Sequence, residues 1–220
     1  MTEQEEPSKK ENIKTRKKIW FAVLILLSVA IGVLVFFSSR SKPLVNQSAV
    51  TYSTDTPNES KKDADEYKWS GSKNDPKKII IEKINVNAYV QSVGVDQNKK
   101  VAVPNNVHLA AWFKDSARPG NNGLSVIDGH VSGKTTDGVF KNLKNLQKGD
   151  TFKIEKGDGT VIEYVVFNTV TVPESQASAI LFSQDPTVSA QINLITCGGQ
   201  FNKQARQYTD RVIVSASQRV

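Results

Sequence analysis

From Pro76 onward the sequence predicts a mainly β fold, a closed β-barrel carrying one or two short helices. Short runs of β-branched and aromatic residues recur between clusters of Gly, Pro, Asn and Asp, which is the rhythm of strands and turns. These runs do not alternate with long helical patterns, so a βαβ architecture is excluded and a barrel is favoured. The one long apolar run, Ile19 to Phe37, lies well upstream of the first strand and is read as a separate transmembrane helix.

Taken in order, residues 1–18 are polar apart from Ile13 and close on the basic run Lys14-Thr15-Arg16-Lys17-Lys18, which reads as a cytoplasmic tail. Residues 19–37 carry no charge. As a helix at about 1.5 Å per residue they reach about 28 Å, close to the thickness of a bilayer core. Trp20 and Phe36-Phe37 suit the two interfaces. Lys9, Lys10, Lys14, Arg16, Lys17 and Lys18 precede the run, whereas only Arg40 and Lys42 follow it closely. The amino terminus is therefore expected in the cytoplasm and the rest outside, a single-pass protein of the cell membrane. The run ends Val-Phe-Phe-Ser-Ser-Arg and offers no small-residue cleavage site, so the anchor is expected to stay uncleaved. Residues 38–75, rich in Ser, Thr, Asn, Lys and Asp, read as a flexible extracytoplasmic linker.

Residues 76–220 read as the globular domain. Strands are expected at 78–81, 85–90, 101–103, 124–127, 151–154, 161–172, 191–196 and 211–215. Val107 to Phe113 reads as a short helix, Val139 to Leu146 has helix-period apolar positions, and Ala177 to Phe182 is a helical turn. The net charge of +7 is spread along the chain, and aromatics do not alternate with the basic residues, which argues against nucleic-acid binding.

Cys197 is the only cysteine, so it has neither a disulfide partner nor companions for a thiolate metal site. It ends an apolar strand and is followed by Gly198 and Gly199, which suggests a sheet edge running out into a flexible turn. The bland alternative is a small buried hydrophobe. A thiol nucleophile needs an imidazole and an oxyanion donor. Of the two histidines, His130 follows a strand and a glycine, whereas His108 sits in a mixed apolar segment and reads as a packed or surface residue. Two histidines about twenty residues apart with one cysteine match no common metal-ligand spacing, so no metal and no cofactor are expected. After Cys197 the cationic options are Arg206, in a polar excursion expected to be mobile, and Arg211, at the head of a β-branched strand.

Together these residues resemble the sortases, membrane-anchored cysteine transpeptidases of the bacterial surface. The family's Thr-Leu-x-Thr-Cys motif stands here as Asn193-Leu194-Ile195-Thr196-Cys197, with Asn in place of the first Thr. Its Gly-His strand end stands as Val126-Ile127-Asp128-Gly129-His130, and its Arg before a β-branched strand as Arg211-Val212-Ile213-Val214. Ala111-Trp112-Phe113 with Arg118-Pro119-Gly120, and the stretch from Val139 to Asp150, resemble the family's flanks of the histidine. Cys197-Gly198-Gly199 and the Trp112/Pro119-Gly120 pattern lean towards the class D, E or F enzymes.

The resemblance implies His130, Cys197 and Arg211 as catalytic residues and Ile195 and Thr196 as substrate-binding. It implies a C-terminal sorting signal on surface or pilin proteins as substrate, an amine of peptidoglycan or pilin as acceptor, and a groove roofed by residues 173–190. Two readings stand beside it: a membrane-anchored thiol peptidase that mainly hydrolyses, and a non-catalytic envelope-binding module with an inert Cys197.

Overall fold

The computed structural model describes residues 57–95 and 101–219. The tail (1–18), the anchor segment (19–37) and the linker as far as residue 56 lie outside the described residues. Among the described residues no helix is long and apolar enough to cross a membrane.

Eight strands close into a barrel: β1 (Pro76–Ile81), β2 (Val86–Val93), β3 (Ala110–Phe113), β4 (Gly123–Gly129), β5 (Thr151–Lys156), β6 (Val161–Pro173), β7 (Ala190–Asn202) and β8 (Gln207–Gln218). The order around the barrel is β1-β2-β3-β4-β7-β8-β6-β5. β2–β3 and β4–β7 pair in parallel and the other neighbours pair antiparallel. Period-2 alternation sends Ile154, Tyr164, Ile192, Leu194, Val212 and Val214 into the barrel interior. A second cluster covers the outer face of β3, β4, β7, β8 and the far half of β6. A bulge in β6 between Val166 and Asn168 produces this double sidedness: Val166 faces the interior, but Val170 and Val172 face outward. Helix α2 (Glu174–Leu181) packs on that outer face through Ala177 and Leu181.

Four local expectations are corrected. The helix expected at 107–113 is strand β3; Ala110, Ala111, Trp112 and Phe113 are buried on both faces, and a short run without alternation does not reveal its period. Residues 101–103 form no strand: Val101 makes a single bridge to Val95 and packs into the outer cluster. At 139–146 there is only a 3-10 turn (Leu143–Asn145). Phe140, Leu143 and Leu146 are all buried, and their three-residue spacing fits a 3-10 winding. Gly198-Gly199 does not end β7. Gly199 has φ 73° inside a bulge, where a side chain would strike Asp210 and Thr209, and the β7–β8 hairpin continues to Asn202 and Gln207.

The linker expectation also gives way over residues 57–75, which belong to the fold. Asn58 bridges Asn106 in parallel, with Asn58 N–H donating to Asn105 O and Val107 N–H to Asn58 O, both at 2.9 Å. Ser60 caps the short helix α1 (Lys61–Asp65) by accepting from Asp63 N–H. Trp69 Nε1 donates to Pro76 O at 3.1 Å, and Arg118 pairs with Asp75 at 2.8 Å. The polar composition that suggested a tether here supplies caps and clamps.

Candidate active site

The parallel register of β4 and β7 builds the site. Asp128 lies opposite Ile195, and Thr196 Oγ1 donates to Gly129 O at 2.7 Å, locking the two strand ends together. Continuing that register by two more residues sets His130 beside Cys197. On the other side of β7, Cys197 lies directly opposite Arg211 of β8. The three residues expected to be catalytic thus meet at one end of the sheet, on neighbouring strands. His108 does not join them; it is half-buried and its Nε2 donates to Glu59 O at 3.2 Å.

Arg211 is fixed in place. It is 1% exposed, its Nη1 donates to Tyr208 O and Asp210 O at 2.8 and 2.7 Å, and its Nη2 lies 3.1 Å from Glu174 Oε1. Glu174 is the first residue of α2, whose far end is tied down from β7. Asn193 Nδ2 donates to Leu181 O at 2.8 Å, and Gln191 Nε2 donates to Ser183 O at 3.1 Å. The Asn that departs from the family motif is therefore the anchor of the helix over the site.

His130 is held by backbone and ring. Phe140 N–H donates to its carbonyl at 3.0 Å, and at Gly138 any side chain would collide with that same carbonyl. Its Nε2 lies 2.8 Å from Pro104 O; a carbonyl can only accept, so this nitrogen carries a proton and Nδ1 is left for proton exchange. Burial lowers the imidazole's pKa below 6.5, and the bond to Pro104 O works against that shift. For Cys197 burial pushes the thiol up to about 12; Arg211 opposes this, while Asp128 and Glu174 reinforce it. The resting pair is accordingly a neutral thiol and a neutral imidazole.

The loop after His130 is pinned from two sides. Ser132 Oγ and Tyr208 OH lie 2.8 Å apart, joining it to the β7–β8 hairpin, and Thr135 N–H donates to Glu59 at 3.0 Å. Ile195 and Thr196, expected to touch substrate, are both buried: Ile195 packs in the outer cluster, and Thr196 faces the strand end it locks. Sequence reading passed over Pro104, Asp128, Glu174 and Tyr208. Of these only Asp128 carried a signal, an acidic residue directly after the strand run Leu124 to Ile127.

Comparison with known proteins agrees with this architecture. A family model described as the sortase domain matches residues 79–219. Among solved structures, the chain is similar to a lid mutant of sortase A from Corynebacterium diphtheriae, with 25% identity and a TM-score of 0.50, covering 65% of this chain and 69% of that one. Another structure of sortase A from the same organism is 22% identical, with a TM-score of 0.50, covering 68% of this chain and 62% of that one. Sortase C1 of Streptococcus agalactiae, solved with MTSET, is 20% identical with a TM-score of 0.50, covering 65% and 68%. The last two show the fold alone. No curated protein matches. A closed barrel with Cys197 opposite Arg211, and a family model spanning nearly all of it, place this chain in the sortase family of transpeptidases.

Proposed function

We propose that the protein cleaves a C-terminal sorting signal of surface or pilin proteins through a Cys197 thioester and transfers the acyl group to an amine of peptidoglycan or pilin. The observation that carries this is the convergence of Cys197, Arg211 and His130 at one sheet end. The thiol proton passes to His130 Nδ1, and the thiolate adds to the carbonyl of the threonine at the scissile bond. Arg211, its guanidinium held by two backbone carbonyls and Glu174, stabilises the oxyanion. Collapse expels the amine, which takes the proton from imidazolium, and leaves a thioester. An acceptor amine then adds to the thioester, gives its proton to His130 and releases the thiolate.

The protein is further proposed to sit in the cell membrane through residues 19–37, with the catalytic domain outside and the amino terminus in the cytoplasm. The Cys197-Gly198-Gly199 and Trp112/Pro119-Gly120 patterns favour a class D, E or F enzyme.

The test is interception of the thioester. Full-length protein in detergent is incubated with a threonine-containing sorting peptide and hydroxylamine, and products are identified by mass. Peptidyl hydroxamate is expected from wild type and none from Cys197→Ala or His130→Ala. With hydroxylamine replaced by a cross-bridge peptide amine, ligated product supports transfer. Free acid alone would establish a peptidase, which is the hydrolase reading of this site.

A further inference from the structure

We infer that Asp128 is a positioning residue of this active site, a buried carboxyl that governs how much of the Arg211 charge is available to the Cys197 thiol. The inference rests on the reading of Cys197 as the nucleophile. Its basis is geometric. Asp128 lies opposite Ala111 of β3 and Ile195 of β7, and both neighbours belong to the cluster on the outer face. Cys197 is two residues beyond Ile195 on that same face, and Arg211 lies opposite it on β8. The Asp128 carboxyl is therefore diagonal to the thiol and on the same face of the sheet as the guanidinium. It is 3% exposed, and among the described residues its Oδ2 has no hydrogen-bond partner.

A buried carboxyl with an oxygen left unmet is costly, and the thioester chemistry gives it no task. The groups around it are few. Its own strand end brings His130, two residues on and on the same face, whose imidazole is held below 6.5 by burial. β3 offers Ala111, β7 offers Ile195 and Cys197, β8 offers Arg211, and α2 offers Glu174 through Arg211. The segment 101–104, which packs on this face through Val101 and holds His130 through Pro104 O, is uncharged. Among the described residues Arg211 is thus the one permanent cation acting on Asp128, and it is already paired with Glu174.

The carboxyl works as a charge that can be switched. Burial pushes Asp128 up to about 8, with Arg211 pulling it down. While protonated it leaves the guanidinium to Glu174 and the thiol. Once its proton is lost to solvent, its negative charge competes for Arg211 and opposes the thiolate directly, in the sense already felt at Cys197. A thiol that ionises near 12 with a fixed environment would gain reactivity about tenfold per pH unit from pH 6 to 10. With Asp128 present the gain must slacken above about 8.

The experiment follows alkylation of Cys197 by iodoacetamide across that pH range, on the full-length chain in detergent, read by intact mass and by peptide mapping. Wild type and Asp128→Asn are expected to coincide below about pH 7, and wild type to bend above pH 8 while the variant stays straight. At about pH 9.5 the variant should be on the order of tenfold faster, the scale of one charge at this separation. A residue with a merely structural role would not produce this pH-dependent divergence. Circular dichroism at each pH establishes that the variant is folded, and Asp128→Ser takes its place if Asn does not fold. Profiles that superimpose, with both proteins alkylated at Cys197, would overturn the role of Asp128 and leave the nucleophile standing. Failure of Cys197 to react in either protein at any pH would overturn both.

Discussion

At the scale of single residues the question is which arginine serves the chemistry. Arg211 lies across from Cys197, buried and held by two carbonyls and Glu174, whereas Arg206 sits exposed at the tip of the β7–β8 hairpin with φ 54°. A group that stabilises charge in a transition state must be held in place beforehand. Arg211→Ala is expected to reduce turnover of a fluorogenic sorting peptide by about 100-fold or more, the scale of one oxyanion donor. Arg211→Lys should recover little, because an ammonium cannot replace the fork that holds Tyr208 O, Asp210 O and Glu174 together. Arg206→Ala should stay within about tenfold of wild type; a larger loss there than at Arg211 would reverse the assignment. His130 makes a second prediction. Its folded pKa lies below the ordinary imidazole value, and the acid limb of kcat/KM follows the lower of the two ionisations of the thiol–imidazole pair. Activity should therefore hold below pH 6.5 and fail only further into acid, and a limb at or above 6.5 in the pH profile would contradict it.

At the scale of elements, the roof of the site depends on β7 as much as on α2. Asn193 donates from its side chain to Leu181 O at the end of the helix, while Glu174 at the start holds Arg211. Asn193→Ala should release that end and leave a buried carbonyl unmet, at about 1–3 kcal/mol in urea or thermal unfolding. Turnover is expected to fall with it, since Glu174 moves with the helix. A variant as stable and as active as wild type would show that the tie is dispensable. Elements such as β1, β2 and β4 to β8 were legible because their β-branched alternation is strong, and only their ends ran longer than expected. β3 was not, because Ala-Ala-Trp-Phe carries no alternation and its burial on both faces is a property of the closed sheet. Likewise Cys197, His130 and Arg211 stood out by residue type and order. Glu174 and Pro104 did not, because their partners lie 37 and 26 positions away and nothing local marks them.

At the scale of the whole molecule, the barrel begins earlier than its first strand. Residues 58–60 lie along 105–108, and Glu59 clamps the loop that follows His130 through Lys134 and Thr135. The proposal that residues 19–37 form an uncleaved anchor is tested by intact mass of the membrane-extracted protein, where the anchor segment is expected to be retained and a chain beginning after about residue 30 would refute it. Glu59 also has a mechanical meaning. Among the described residues, tension entering from the amino-terminal side reaches Asn58 first, and the next side chain to bear load is the one gripping the loop that follows His130. A pull that peels this strap would slacken the His130 loop before any strand of the barrel yields.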